Sequence, residues 1–200
     1  MKINESNKRK VKIKSGKEVL TFENRKTGFR LLDFWRWSDS DLLSNSLRGK
    51  FAEFIVATAL DIDKSCVREE WDAYDLITDD RVKIEVKSAA YVQTGEQSKY
   101  SSIRFSIKPK SAWEKKDESN NKGASKRQAD IYVMCLLKHK DQSTIDPMKL
   151  EQWEFYVVTT KSLDKMSLNQ KSIGIKALKK LTPSVSCTNI QDAIRKALKE

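Results

Sequence analysis

Alternation with period two marks residues 82–87 as the best-defined strand in the chain. Val82, Ile84 and Val86 fall on one face and Lys83, Glu85 and Lys87 on the other. Asp79-Asp80 just before it is a turn-forming pair, so residues 75–87 read as a β-hairpin. A three-residue loop, Asp79 to Arg81, pairs Thr78 with Val82 and sets Asp75 opposite Glu85, whereas a two-residue loop pairs Asp75 with Ile84 and puts an acid on the aliphatic face. Side-chain chemistry favours the first register. Ile103, Phe105 and Ile107 alternate with Arg104, Ser106 and Lys108 as a further strand. Residues 130–137 form a nearly continuous apolar run, the pattern of a strand buried at the centre of a sheet. Another strand is expected over 153–158, and a short one around Cys66-Val67.

Helical periodicity appears over Leu47–Leu60, begun by Asn45-Ser46, with Leu47, Phe51, Phe54, Ile55 and Thr58 on one stripe. A second stripe holds Gly49, Glu53, Val56 and Leu60. Glu53 is the single acid on that small, apolar face, where a carboxylate needs a partner or a metal unless it lies at the rim. Ile190–Leu198 reads as an amphipathic helix packed back on the core. Between Phe29 and Leu43 the aromatic residues Phe34, Trp35 and Trp37 suggest a short helix capped by Ser38 or Ser40, its rings in the core. Residues 1–27 read as a basic, partly extended arm, and 114–127 as a flexible, mixed-charge insertion. The remainder, 28–200, suits one α/β domain with a mixed sheet flanked by helices.

Composition narrows the chemistry. Lys and Arg number 39 against 28 Asp and Glu, a formal charge of +11. That excess points to a polyanionic partner, nucleic acid first and an anionic membrane second, although a basic surface can also be inert. Cys66, Cys135 and Cys187 are odd in number and dispersed, as expected of reduced thiols in a cytoplasmic protein. His139 is the single histidine, which argues against histidine-metal nucleases and Ser-His-Asp hydrolases. No Gly-rich phosphate loop, secretory leader or membrane-length apolar run is present in the sequence.

Opposed carboxylates, with Cβ atoms ~5 Å apart, repel unless a cation lies between them. Two hard oxygen ligands completed by water and phosphate suit Mg²⁺. On this reading, removing one acid relieves repulsion in the metal-free protein. Lys87, on the same face, could orient or deprotonate a water or neutralise charge on a phosphate.

Asp75, nine intervening residues and Glu85-Val-Lys87 resemble the motif of the PD-(D/E)XK, or restriction-endonuclease-like, nuclease superfamily, with Tyr74 where the motif's name has proline. The stretch from Trp71 to Tyr91 and the segment Ser46–Leu60 are also similar to bacterial members of that group. The resemblance implies a restriction-endonuclease-like core and an Mg²⁺-dependent endodeoxyribonuclease, with Mn²⁺ able to substitute, serving restriction, phage defence or repair. It gives Asp75, Glu85 and Glu53 as metal ligands, and all three with Lys87 as catalytic residues. Double-stranded DNA is the expected substrate, a homodimer the arrangement that would cut both strands. Candidates for DNA contact are Gln93, which could equally be a plain strand-end residue, and Lys126 and Arg127 at the end of the insertion. The rival readings are a non-catalytic nucleic-acid-binding module of the same fold, and a structural protein in which the lysines form surface ion pairs.

Overall fold

The computed structural model describes residues 11–65, 67, 73–109, 126–166 and 170–199. The basic run at 8–10, the strand expected at Cys66 and most of the insertion at 114–127 lie outside the described residues. The chain divides into two compact units, Met1–Ser40 with Asp63–Glu69, and Asp41–Ile62 with Glu70–Glu200.

In the first unit, residues within the expected arm and just beyond it form a hairpin and a helix, and the unit runs on to Ser40. Strands β1 (Val19–Phe22) and β2 (Arg25–Arg30) pair antiparallel. Glu23 and Asn24 join them at φ of 47° and 63°, the left-handed pair whose twist matches that of a hairpin. Helix α1 (Leu31–Ser38) follows directly, its start fixed by the Arg30 amide donating to Asp33 Oδ2 at 2.8 Å. Ser38 therefore ends this helix instead of capping it. Trp35 lies over Gly16, where an added Cβ would stand 3.0 Å from the indole. The core role expected of the other rings is not met, since Phe34 is half exposed, Trp37 is 84% exposed and no residue of α1 is buried.

The second unit is built on a four-stranded sheet of order β3 (Leu76–Ile77), β4 (Lys83–Ala90), β6 (Ile131–Leu137), β7 (Trp153–Thr159). The inner pair, β4 and β6, is parallel and the outer pairings are antiparallel. Every residue of β6 is buried, as its unbroken apolar sequence requires of a strand covered on both faces. On one face Ile84, Val86, Val133 and Val157 pack against Ala52, Ile55 and Val56 of helix α2 (Asn45–Ala59) and against Ile190 and Ile194 of helix α5 (Ile190–Ala197). On the other, Ala89, Tyr132, Met134 and Val158 meet Phe105 of β5 (Arg104–Ser106) and Ile173 of β8 (Ser172–Gly174), two strands paired in a small antiparallel sheet. Leu163 of helix α3 (Thr160–Met166) and Leu178 of helix α4 (Ile175–Leu181) close that layer. The result is an α/β unit with a mixed sheet between helices. Among the described residues, no helix is long and apolar enough to cross a membrane.

Candidate active site

The β3–β4 hairpin takes the three-residue loop. Leu76 pairs with Ile84 and Ile77 with Lys83; the Thr78 amide donates to Val82 O at 3.1 Å and the Arg81 amide to Thr78 O at 2.9 Å. Arg81 sits at φ 65°, the left-handed position that ends such a loop. One residue before β3, the Asp75 amide still reaches Ile84 O at 3.0 Å, so the same register carries Asp75 alongside Glu85. Asp75 Oδ2 also accepts from the Val86 amide at 2.7 Å. The acid thus extends the hairpin by a side-chain bond where the strand pairing itself has stopped.

Lys87 joins the two acids. Its Nζ lies 2.5 Å from Glu85 Oε1 and 3.7 Å from Asp75 Oδ2, with side-chain exposures of 26% for the lysine, 2% for Glu85 and 15% for Asp75. The carboxylates are held within the protein and the ammonium keeps an outlet to solvent. Burial pulls the Lys87 pKa down, but the carboxylates of Asp75, Glu85 and Glu53 outweigh that and hold it above the ordinary lysine value. The face is completed by Tyr132, which stands beside Glu85 on the neighbouring strand. Burial first, and then the Glu85 charge, push its phenol pKa up, so it remains a neutral donor.

Glu53 is buried on α2, near enough for its charge to bear on Lys87. Among the described residues, no group of three or more His, Cys, Asp or Glu is gathered as a metal cluster. Asp75 and Glu85 are the pair that the hairpin register brings together, and the Glu53 charge bears on the same lysine. Two carboxylate oxygen ligands still fit Mg²⁺, which commonly binds through one or two carboxylates and keeps several waters. They do not fit zinc, which prefers a closed nitrogen and sulfur set in structural sites.

The expected DNA contacts divide. Lys126 is exposed. The Arg127 side chain is only 1% exposed; Nε donates to Ile107 O and Nη2 to Gln170 O, both at 2.9 Å, and Nη1 pairs with Asp164. It ties three segments of the unit together and offers no open face to a phosphate. Gln93 is likewise turned inward, its Oε1 accepting from Arg48 Nη1 at 2.9 Å and its Nε2 donating to Ala90 O at 2.8 Å. Arg48 carries no role in the sequence reading, yet it is the largest fully buried side chain. Its guanidinium also donates to Leu43 O at 2.7 Å and to Asn45 Oδ1, so it joins the start of α2 to the end of β4. The signal was available: Arg48 lies four residues before Ala52, in the buried phase of the helix, where an arginine must find acceptors.

No curated protein matches the chain. Residues 2–191 match the family described as Bacteriophage T4 endonuclease IV, a match over nearly the whole length, and the chain belongs to that endonuclease family.

Proposed function

We propose that the chain is an Mg²⁺-dependent endodeoxyribonuclease of the PD-(D/E)XK type, acting on double-stranded DNA. The observation that carries this reading is the gathering of Asp75, Glu85 and Lys87 on one face of the β3–β4 hairpin, with the ammonium 2.5 and 3.7 Å from the two carboxylates. Membership of an endonuclease family supports the reaction class. The mixed sheet with α2 against its central strand supports, at the level of architecture, a restriction-endonuclease-like core.

Asp75 and Glu85 would hold the ion, with Mn²⁺ able to replace Mg²⁺. When bound, a divalent ion supplies charge stabilisation at the scissile phosphate and makes a ligated water more acidic. The protein's own groups do the rest. Lys87 presents positive charge beside the acids, where it can meet a phosphate oxygen and orient a water by donation. The neighbouring carboxylates favour the ammonium form, which donates to a water or a phosphate oxygen. Asp75 and Glu85, and to a lesser degree Glu53, favour the charged lysine, and the Arg48–Gln93 tie fixes α2, and with it Glu53, relative to β4. Two protomers would serve the two strands of a duplex, in a cytoplasmic setting.

One observation favours a second reading, a nucleic-acid-binding module without catalysis. Lys87 already offsets part of the charge of the facing acids, so their juxtaposition does not by itself require a metal. A plasmid-nicking assay with Mg²⁺, Mn²⁺ or EDTA, run on wild type, Glu85→Ala and Lys87→Ala, decides between them. Cleavage that needs metal and is lost in both variants supports the nuclease. DNA binding with no cleavage in any metal supports the module.

A further inference from the structure

We infer that the open cleft between α3 and α5 is a second phosphate-backbone site, which holds the nucleic acid to one side of the Asp75–Glu85–Lys87 face. The identity of the partner rests on the proposed function; the site itself rests on the cleft. Its volume is about 1080 Å³, larger than the usual pocket for a small molecule. Lys83, Lys126, Lys161, Lys165 and Lys196 line it, and each of the five is exposed. Lys161 and Lys165 stand one helical turn apart on α3 and so share a face.

Positive charge is in excess here, with five lysines on the lining against Asp130 and Asp192. Among the described residues, Lys126, Lys161, Lys165 and Lys196 have no ion-pair partner. Of the two acids on the lining, Asp192 pairs with Arg195 at 3.7 Å, and Asp130 Oδ2 accepts from the Lys83 amide at 2.9 Å. Several like charges around one concavity attract a polyanion and its counterions, and an open cleft of this volume suits an extended strand better than a compact metabolite.

Lys83 connects the cleft with the proposed chemistry. It lies on the same face of β4 as Glu85, two residues away, or ~7 Å along the strand. A backbone whose phosphate reached Glu85 and Lys87 would enter the cleft within about two nucleotides, taking ~3.4 Å per nucleotide of one strand.

The test compares Lys161→Glu/Lys165→Glu/Lys196→Glu in the full chain with a charge-matched control, Lys99→Glu/Lys108→Glu/Lys149→Glu, whose residues are exposed and lie outside the cleft. Fluorescence anisotropy follows binding of a labelled oligonucleotide, duplex in one arm and single-stranded in the other, across a salt series in EDTA. Each phosphate that is no longer neutralised makes the slope of log K against log salt shallower by about 0.9 on duplex and about 0.7 on a single strand. The slope should therefore become shallower by about 2 to 3 in the cleft variant and by much less in the control. The corresponding triple glutamine variant, which neutralises without reversing charge, should show the same order should the glutamate variant fold poorly. Equal changes in cleft and control variants, or no binding by wild type, overturn the inference. A cleft-specific change in a protein that never cleaves DNA leaves the cleft standing and removes the catalytic reading. Metal-dependent cleavage with an unchanged slope does the reverse.

Discussion

Removing the Lys87 charge gives the sharpest test of the site. Lys87→Met keeps most of the aliphatic stem and deletes the ammonium that lies 2.5 Å from Glu85 Oε1. Two things are then lost. Glu85, whose side chain is 2% exposed, becomes a buried carboxylate without its cation, and breaking a buried pair from one side costs about 3 to 5 kcal/mol. Asp75 and Glu85 also face each other without the ammonium between them, a repulsion of about 3 kcal/mol for unit charges ~5 Å apart at an effective dielectric of ~20. These overlap rather than add, and the lysine is about a quarter exposed, so a net loss of about 3 kcal/mol is expected. In a unit of this size that lowers the melting temperature by about 6 to 12 °C. Urea denaturation in EDTA at neutral pH measures it, followed by the same titration in Mg²⁺ at matched ionic strength. An ion bound at a hundred times its Kd stabilises by about 2.7 kcal/mol. Lys87→Met should gain more of this than wild type, in which the ammonium competes for the same oxygens. A variant within about 0.5 kcal/mol of wild type in EDTA, or one that gains no more from Mg²⁺ than wild type does, would refute the reasoning.

The remaining predictions follow from the same group of residues and the core around them. Glu85→Ala should destabilise the metal-free protein, reversing the sign expected from facing carboxylates alone, and chemical denaturation in EDTA reads that sign. Arg48→Met strips the guanidinium of its bonds to Leu43, Asn45 and Gln93 and should cost about 2 to 4 kcal/mol; Gln93→Ala should cost less, and the double-mutant cycle should show their coupling. Met134→Ala, at a fully buried site on β6, should lose about 2 to 5 kcal/mol in a thermal melt. Burial and then Glu85 raise Tyr132, burial and then the Glu154 hydrogen bond raise Tyr156, and Lys87 is raised as well. Burial raises the Cys135 and Cys187 thiols as well, so the native state binds more protons than the unfolded state from about pH 9 upward, and stability should hold below that pH and fall as pH rises further. Absorbance at alkaline pH should show tyrosines that ionise only as the protein unfolds.

Where one element's pattern carried its own answer, the sequence was sufficient. The hairpin register followed from alternation plus a turn, because a slip of one residue would have moved an acid onto the aliphatic face. The fully apolar run of β6 and the strand at β7 could be read for the same reason. The β1–β2 hairpin could not, since Arg25, Lys26 and Arg30 interrupt any apolar face and leave Asn24 as its main turn signal. The rings of α1 were expected inside because aromatic residues usually are, but burial is decided by neighbours from elsewhere in the chain. Arg127 shows the limit from the other side. Its acceptors are Ile107, Asp164 and Gln170, none adjacent in sequence, and a basic residue read alone looks like surface.

Lys87 brings the two levels together. Period two and the hairpin register are enough to put it on one face with Glu85 and Asp75, but only the structure shows one cation answering to both acids. That changes the argument for a metal. Facing carboxylates alone are a conflict needing an ion; with the ammonium between them, the site is neutralised in part by the chain itself. Two carboxylates and one ammonium leave a formal charge of −1, and Glu53 adds further negative potential at the lysine. A divalent cation would therefore still be drawn in, but against a competitor, so its affinity should rise when Lys87 is neutralised. Isothermal titration of Mg²⁺ or Mn²⁺ into wild type and Lys87→Met measures this directly. If the acids are the ligands, the variant binds the ion more tightly even as it loses cleavage. Tighter binding with lost activity would separate the lysine's electrostatic role from metal retention. Weaker binding would mean that Lys87 helps to hold the site open, and the assignment of Asp75 and Glu85 as a competing pair of ligands would fall.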